Sequence, residues 1–231
     1  MREAKVLKFP ISEKIFHNLN LISWIVLIIT GALIYFKALS DEAAALAMDI
    51  HIVAAVVSTA NFFGFAIINY DRFILLLKNL THWDKDTLAW FKNLGGYPRK
   101  LFGINFGPKE VAPQGRFNGG QKILYPIFIV MIFALIISGW LLYALTPALG
   151  KQFTVFLFYF HVWGSIVITA LVIFGHAPLA VINFSDFKAM FSSGEGYVPL
   201  EETKQSSPKW LENDLVKIEE DATDKHCRIK E

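Results

Sequence analysis

Four stretches of the chain stay apolar over the roughly 20 positions that a helix needs to cross about 30 Å of hydrocarbon. They cover approximately residues 15–37, 48–70, 122–147 and 152–183, and polar sequence separates them. The pattern predicts four membrane-spanning helices. The fourth is long enough to tilt or to run past the bilayer, and Pro178 near its end can bend or finish it. Between the second and third spans lies a connection of about fifty residues, Asp71 to Gln121, rich in Gly, Pro, Lys and Arg, whereas the other two connections are short. Its length predicts a functional surface. From about Ser185 the chain turns polar, with mixed charge and scattered Ser, Pro and Gly, which predicts a cytosolic tail that is loosely ordered or ordered on a partner. No internal repeat of useful length is present. The expected division is a four-helix transmembrane domain over residues 1–184, including the loop 71–121, and a polar tail over 185–231.

Composition supports the same class. Of the 231 residues, 54% are hydrophobic and only 18% charged, which is well outside the profile of a soluble domain and predicts an all-α integral membrane protein. Phe occurs 21 times, as expected where side chains face lipid or a large, flat apolar cofactor. The net charge of +2 is too small to suggest nucleic acid, so the distribution of basic residues carries more information than their sum. The long loop holds Arg72, Lys78, Lys85, Lys92, Arg99, Lys100, Lys109 and Arg116, and the N-terminus adds Arg2, Lys5, Lys8 and Lys14. The connectors on the opposite side hold little beyond Lys37 and Lys151. By the positive-inside rule both termini and the long loop are cytoplasmic, an N-in, C-in topology. The polar start MREAKVLKFPISEK leads into the first span without a small-residue cleavage site, so that span is expected to be retained.

The single cysteine, Cys227, excludes an internal disulfide, a CxxCH haem attachment and an iron–sulfur site built by this chain alone. Any haem is therefore held non-covalently. Of six histidines, four (His17, His51, His161 and His176) fall in or at the ends of the spans, where ionisable groups are costly and usually functional. With the topology above, His17 and His176 share the cytoplasmic side, and His51 and His161 the outer side. Haem iron takes two axial ligands on opposite faces of the ring, and an imidazole from each of two facing helices supplies them. Two pairs imply two haems. His161 and His176 lie fifteen residues apart, an axial rise of roughly 22 Å and a net rotation of about 60° in an ideal helix, so they share a broad face at two depths. For any one histidine, an interhelical hydrogen bond explains its position as readily as iron does; the pairing by depth favours iron. His82, in THWDKD, and His226 lack matching partners and read as solvated or interfacial residues. Gly31, Gly64, Gly139, Gly164 and Gly175 accompany the histidines and allow close approach of a porphyrin or of another helix.

The third span opens on Gly115-Arg116-Phe117-Asn118-Gly119-Gly120-Gln121-Lys122. Asn118 as N-cap with Gln121 three residues on is a variant of the capping box and needs no ligand. The exposed N–H groups of Gly119 and Gly120 and the Asn118 side chain also offer donors to a quinone carbonyl at the membrane surface. The candidate quinone residues are Asn118, Gly120 and Gln121.

This stretch, GRFNGGQK, resembles the GKYNAGQK signature of the gamma (cytochrome b556) subunit of respiratory formate dehydrogenases, a di-haem membrane cytochrome b family. Asp84, Asp86, Trp90 and Phe91 in DKDTLAWFKN resemble that family's loop, and EKIFHNLNLISWIVLIITG is similar to its first span, with His17 at the ligand position. The resemblance covers about 180 residues. It implies a prokaryotic inner membrane protein with one haem b near the cytoplasm on His17 and His176, another near the periplasm on His51 and His161, and menaquinone reduced beside the inner haem, with Asn118, Gly120 and His176 at quinone-contacting positions. It also implies an iron–sulfur subunit, a molybdenum or tungsten catalytic subunit, and a higher-order oligomer. Gly119 stands where that family has alanine. The two histidines of the fourth span are also about one residue further apart than is usual there, which turns His176 by about 100°. Three alternatives follow: a local bulge near Gly175 and Pro178, a differently tilted inner haem, or a His176 that is not a ligand.

The sequence thus predicts an electron-transfer subunit that takes electrons from an iron–sulfur partner through two haems to menaquinone and performs no other substrate chemistry. Related cytochromes that anchor nickel–iron hydrogenases or thiosulfate or polysulfide reductases are alternatives. So are a haem-free anchor or transporter with a proton relay, and a self-contained oxidoreductase of the cytochrome b561 kind.

Overall fold

The computed structural model describes residues 4–214, 216–219 and 228–229. Arg2, His226 and Cys227 lie outside the described residues. The chain runs through β1 (Lys5–Phe9), α1 (Ile11–Tyr35), α2 (Asp41–Ile68), α3 (Tyr70–Thr81), α4 (Lys85–Ala89), α5 (Tyr97–Phe102) and α6 (Gly119–Leu145). It continues with α7 (Lys151–Leu171), a π-helical turn (Val172–His176), α8 (Ala177–Ile182), α9 (Phe184–Phe191), β2 (Gly196–Pro199), α10 (Leu200–Ser206), α11 (Pro208–Asn213), β3 (Lys217–Glu219) and β4 (Arg228–Ile229). Two compact units result: Ser12–Tyr70 with Phe128–Phe184, and the N-terminal segment to Ile11 with Asp71–Ile127 and the residues from Ser185.

The first unit is a four-helix membrane bundle. Four helices are long and apolar enough to span a bilayer: α1, α2, α6, and the continuous run Lys151–Ile182 through α7, the π turn and α8. α2 starts seven residues before the expected position 48, at Asp41. Ser40 caps it, accepting from the Ala43 N–H at 3.4 Å, and Asp41 and Glu42 complement the positive end of the helix dipole ahead of an alanine-rich first stretch. His51 therefore stands roughly three turns inside α2 rather than at its head. Polar side chains tie the helices together where lipid offers no hydrogen-bond partner. Asn61 Nδ2 donates to the Phe16 carbonyl at 2.9 Å, and Trp140 Nε1 donates to Thr59 Oγ1 at 3.0 Å. At Gly164 a Cβ would come within 3.2 Å of Leu135, so this glycine serves the close approach of α7 to α6.

The second unit gathers the three segments that charge placed on one side of the membrane. β1 pairs antiparallel with β2 (Val6 opposite Val198) and with β3 (Val6 opposite Ile218), and β4 extends the sheet beyond β3. Val6, Ala189, Val198, Trp210 and Val216 form its buried core. The segment from Ser185, expected to be loose or partner-ordered, is thus folded on the chain's own N-terminal strand as far as Asp214, because its few apolar residues recur where sheet and helices can cover them. The connection between spans two and three is largely helical rather than open loop.

Three polar contacts lock this unit. Lys8 pairs with Asp186 at 2.7 Å, and the Arg116 guanidinium donates to the Lys8 carbonyl at 3.0 Å while lying over the Trp210 ring. Lys209 pairs with Asp84 at 2.6 Å and also with Asp86. The Lys209 contact and the Thr87 N–H and hydroxyl bonds, each at 2.7 Å, hold the Asp84 carboxyl far below the usual carboxylate range despite its burial. Burial disfavours the Lys209 ammonium, but its two carboxylate partners outweigh this and raise its pKa.

A folded-state pKa below the unfolded value of 3.8 means that Asp84 contributes stability above that pH and loses it as pH falls. Hydrogen exchange on the full chain should therefore show Gly196–Asn213 opening several-fold faster at pH 7 in Lys209→Ala than in wild type, a loss of about 1 kcal/mol for a partly exposed pair. The difference should shrink in acid below the carboxylate range. Equal protection at pH 7 would contradict the lock.

Candidate functional site

The four membrane histidines meet in two pairs within the bundle. His17 on α1 faces His176 at the end of the π turn, with ring centroids 6.3 Å apart and planes inclined at 47°. His51 on α2 faces His161 on α7 at 6.5 Å and 68°. An imidazole nitrogen lies about 2 Å from a metal it ligates and about 1 Å from its own ring centre, so two rings on opposite sides of one iron stand roughly 6 Å apart. Both pairs match that separation. Among the described residues, no group of three or more His, Cys, Asp or Glu could hold a bare metal ion. Facing pairs suit an iron whose remaining ligands come from a planar macrocycle.

His176 reaches its partner through the local bulge that its spacing allowed as one alternative. The Ala177 N–H bonds to the Val172 carbonyl five residues back, which widens Val172–His176 into a π turn. Pro178 supplies the local cause: it has no N–H, and in a regular helix its ring would collide with the carbonyl four residues earlier. The wide turn absorbs one residue, so fifteen positions rotate the chain about as far as fourteen would in a regular α-helix. Phe128 packs edge-on against His176 at 5.9 Å.

Each ring of the second pair rests on a hydroxyl and a glycine from a neighbouring helix. His51 Nδ1 lies 2.9 Å from Thr30 Oγ1, and an added Cβ at Gly31 would stand 3.4 Å from His51 Cε1. His161 Nδ1 lies 3.0 Å from Ser138 Oγ, and a Cβ at Gly139 would stand 3.0 Å from His161 Cε1. His17 Nδ1 lies 3.4 Å from Asn18 Oδ1. Thr30 and Ser138 escaped the sequence reading. The signal was available as a hydroxyl residue directly before each of two membrane glycines, Thr30-Gly31 and Ser138-Gly139.

In the other unit, the GRFNGGQK segment forms the capping box. Asn118 Oδ1 accepts from the Gln121 N–H and Gln121 Oε1 accepts from the Asn118 N–H, both at 3.0 Å. Gln114, almost fully buried, accepts from the Gly119 N–H at 3.2 Å and donates to the Asp86 carbonyl at 3.0 Å. A Cβ at Gly119 would lie 2.9 Å from both the Thr87 carbonyl oxygen and the Phe91 ring, and one at Gly120 would lie 2.8 Å from Trp90. Gly119 is thus a packing requirement of this chain. Lys122 Nζ donates to the His82 carbonyl at 2.7 Å and to Thr87 Oγ1 at 2.9 Å, and the His82 ring itself is exposed.

A family model described as prokaryotic cytochrome b561 matches residues 8–193, most of the chain and all four spans. The chain belongs to the prokaryotic cytochrome b561 family. No curated protein matches it. Membership in this family makes the chain a multi-pass membrane cytochrome b of electron transfer and implies haem b. The histidine pairs of this cytochrome fit that group by their ring separation.

Removing the surplus residue of the π turn should leave the paired rings in place. Deleting Ile173 is expected to preserve haem content per chain in the purified cytochrome. Inserting one alanine after Val172, which turns His176 by about 100°, should lower it. Equal haem content in both variants would refute the role assigned to the turn.

Proposed function

We propose that this cytochrome holds two haems b, one between His17 and His176 and one between His51 and His161, and serves as the electron-transfer subunit of a respiratory dehydrogenase in the prokaryotic inner membrane. The observation that carries this reading is the pair of facing imidazoles at 6.3 Å and 6.5 Å, with His161 and His176 well separated along one helix. Haem bound at these two depths supplies one-electron carriers from one membrane side to the other. The chain's part is to offer a neutral imidazole nitrogen from each face, to keep the rings in hydrocarbon and away from water, and to leave space beside Gly64 and Gly175, where an added Cβ would meet no protein atom within 4 Å.

The electron acceptor we assign is menaquinone. Asn118 and Gly120 offer its carbonyl hydrogen-bond donors at the start of α6, with Gln121 fixing Asn118 through the capping box, and protons come from the cytoplasm. The resemblance of GRFNGGQK and DKDTLAWFKN to the formate dehydrogenase gamma subunit makes formate dehydrogenase the first choice of parent complex, with an iron–sulfur subunit as electron donor and a molybdenum or tungsten subunit beyond it. A second reading is a self-contained oxidoreductase of the cytochrome b561 kind, for which the family description alone speaks. Co-purification with an iron–sulfur subunit supports the first, and a haem-loaded chain that is stable and active alone supports the second.

A redox-difference spectrum with haem quantitation decides the haem assignment. Wild type should carry two haems per chain, and His17→Ala and His51→Ala one each. Unchanged haem content in both variants would overturn it.

A further inference from the structure

We propose that Thr30 and Ser138 are positioning residues that fix the tautomer of His51 and His161 and hold down the reduction potential of the haem between them. The inference rests on the haem reading above and deepens it.

The direction of each hydrogen bond follows from what else the hydroxyl touches. Thr30 Oγ1 donates to the Val26 carbonyl at 2.7 Å, one turn back on its own helix, with the Leu27 carbonyl at 3.3 Å. Ser138 Oγ donates to the Leu135 carbonyl at 3.1 Å. A hydroxyl has one proton, so with that proton committed to the helix it meets the imidazole as an acceptor. That places the proton on Nδ1 and leaves the Nε2 lone pair for iron.

The arrangement occurs twice, on different helices. α1 supplies Thr30 to the histidine of α2, and α6 supplies Ser138 to the histidine of α7. In each case the next residue is a glycine, where an added Cβ would touch the same ring, at 3.4 Å from His51 and more tightly at 3.0 Å from His161. Neither α1 nor α6 contributes a ligand to this pair, so the hydroxyl and the glycine act on iron only through the imidazole. A ligating histidine that donates its second N–H to an acceptor becomes a more basic ligand, and a more basic ligand favours the ferric state. In hydrocarbon there is no water to take over that bond if the hydroxyl is lost.

The test is an equilibrium redox titration, followed in the visible bands, of the full chain in its native membrane or complex. Wild type, Thr30→Val, Ser138→Ala and Thr30→Ser are compared, and the component belonging to His51 and His161 is identified by its loss in His51→Ala. In Thr30→Val and Ser138→Ala, that component should show a ferrous-to-ferric ratio three- to tenfold higher at a fixed ambient potential, tenfold being about 59 mV for one electron. The other component should stay in place, and Thr30→Ser should titrate like wild type. Potentials unchanged in both hydroxyl-free variants, with haem content intact, overturn the inference and leave the haem reading standing. Full haem content in His51→Ala overturns the haem reading and this inference with it. If Thr30→Val lowers haem content instead, recovery of content and potential in Thr30→Ser supports the positioning role, and failure to recover them overturns it.

Discussion

An imidazole ring in hydrocarbon must have both nitrogens occupied, and the bundle is arranged around that requirement. Each ring brings two polar atoms into a medium that offers neither donor nor acceptor, at a cost that only a paired arrangement offsets. The spans accordingly present their histidines to one another rather than to lipid. In the second pair, two further helices give up a side chain at Gly31 and Gly139 and aim a hydroxyl at Nδ1. Other polar side chains bind helix to helix, as Asn61 does on the Phe16 carbonyl and Trp140 on Thr59, or fold back on their own helix, as Ser165 and Thr169 do.

The four spans were legible because hydrocarbon thickness imposes a length that composition alone reveals. The pairing of His17 with His176 and of His51 with His161 was legible for a related reason: charge asymmetry suggests which helix ends lie together, and depth then sorts the histidines. What the sequence concealed was the fold of its polar parts. Val6, Val198, Trp210 and Val216 are separated by as much as the whole membrane domain, and no local periodicity announces that they share one core. Gln114 is equally silent in sequence, yet it joins the Gly119 N–H, the Asp86 carbonyl and the Lys209 N–H, the last through its own carbonyl at 3.1 Å. Start positions slipped where capping competes with hydrophobicity, as at Ser40, which begins α2 in sequence too polar to count as span.

The segment GRFNGGQK shows how one motif can satisfy two demands. Asn118 and Gln121 complete the helix start by themselves, Arg116 reaches the N-terminal strand and the Trp210 ring, and the two glycines admit Trp90 and Phe91. Every conspicuous residue in it has a structural reason to be there. A resemblance carried by such a segment reports first on a shared way of folding the junction between loop and helix, and on quinone chemistry only through the donors that this junction presents.

The widened turn before His176 has a mechanical meaning. Two paired histidines borne on one stiff rod would ordinarily be locked in phase, so that any insertion between them would swing one away from its partner. A single wide turn in the rod breaks that lock. One surplus residue between His161 and His176 is taken up at one point, next to the proline that already disfavours regular winding there. The two histidine pairs can then be adjusted one at a time, each tolerating changes that would otherwise have had to be made in step.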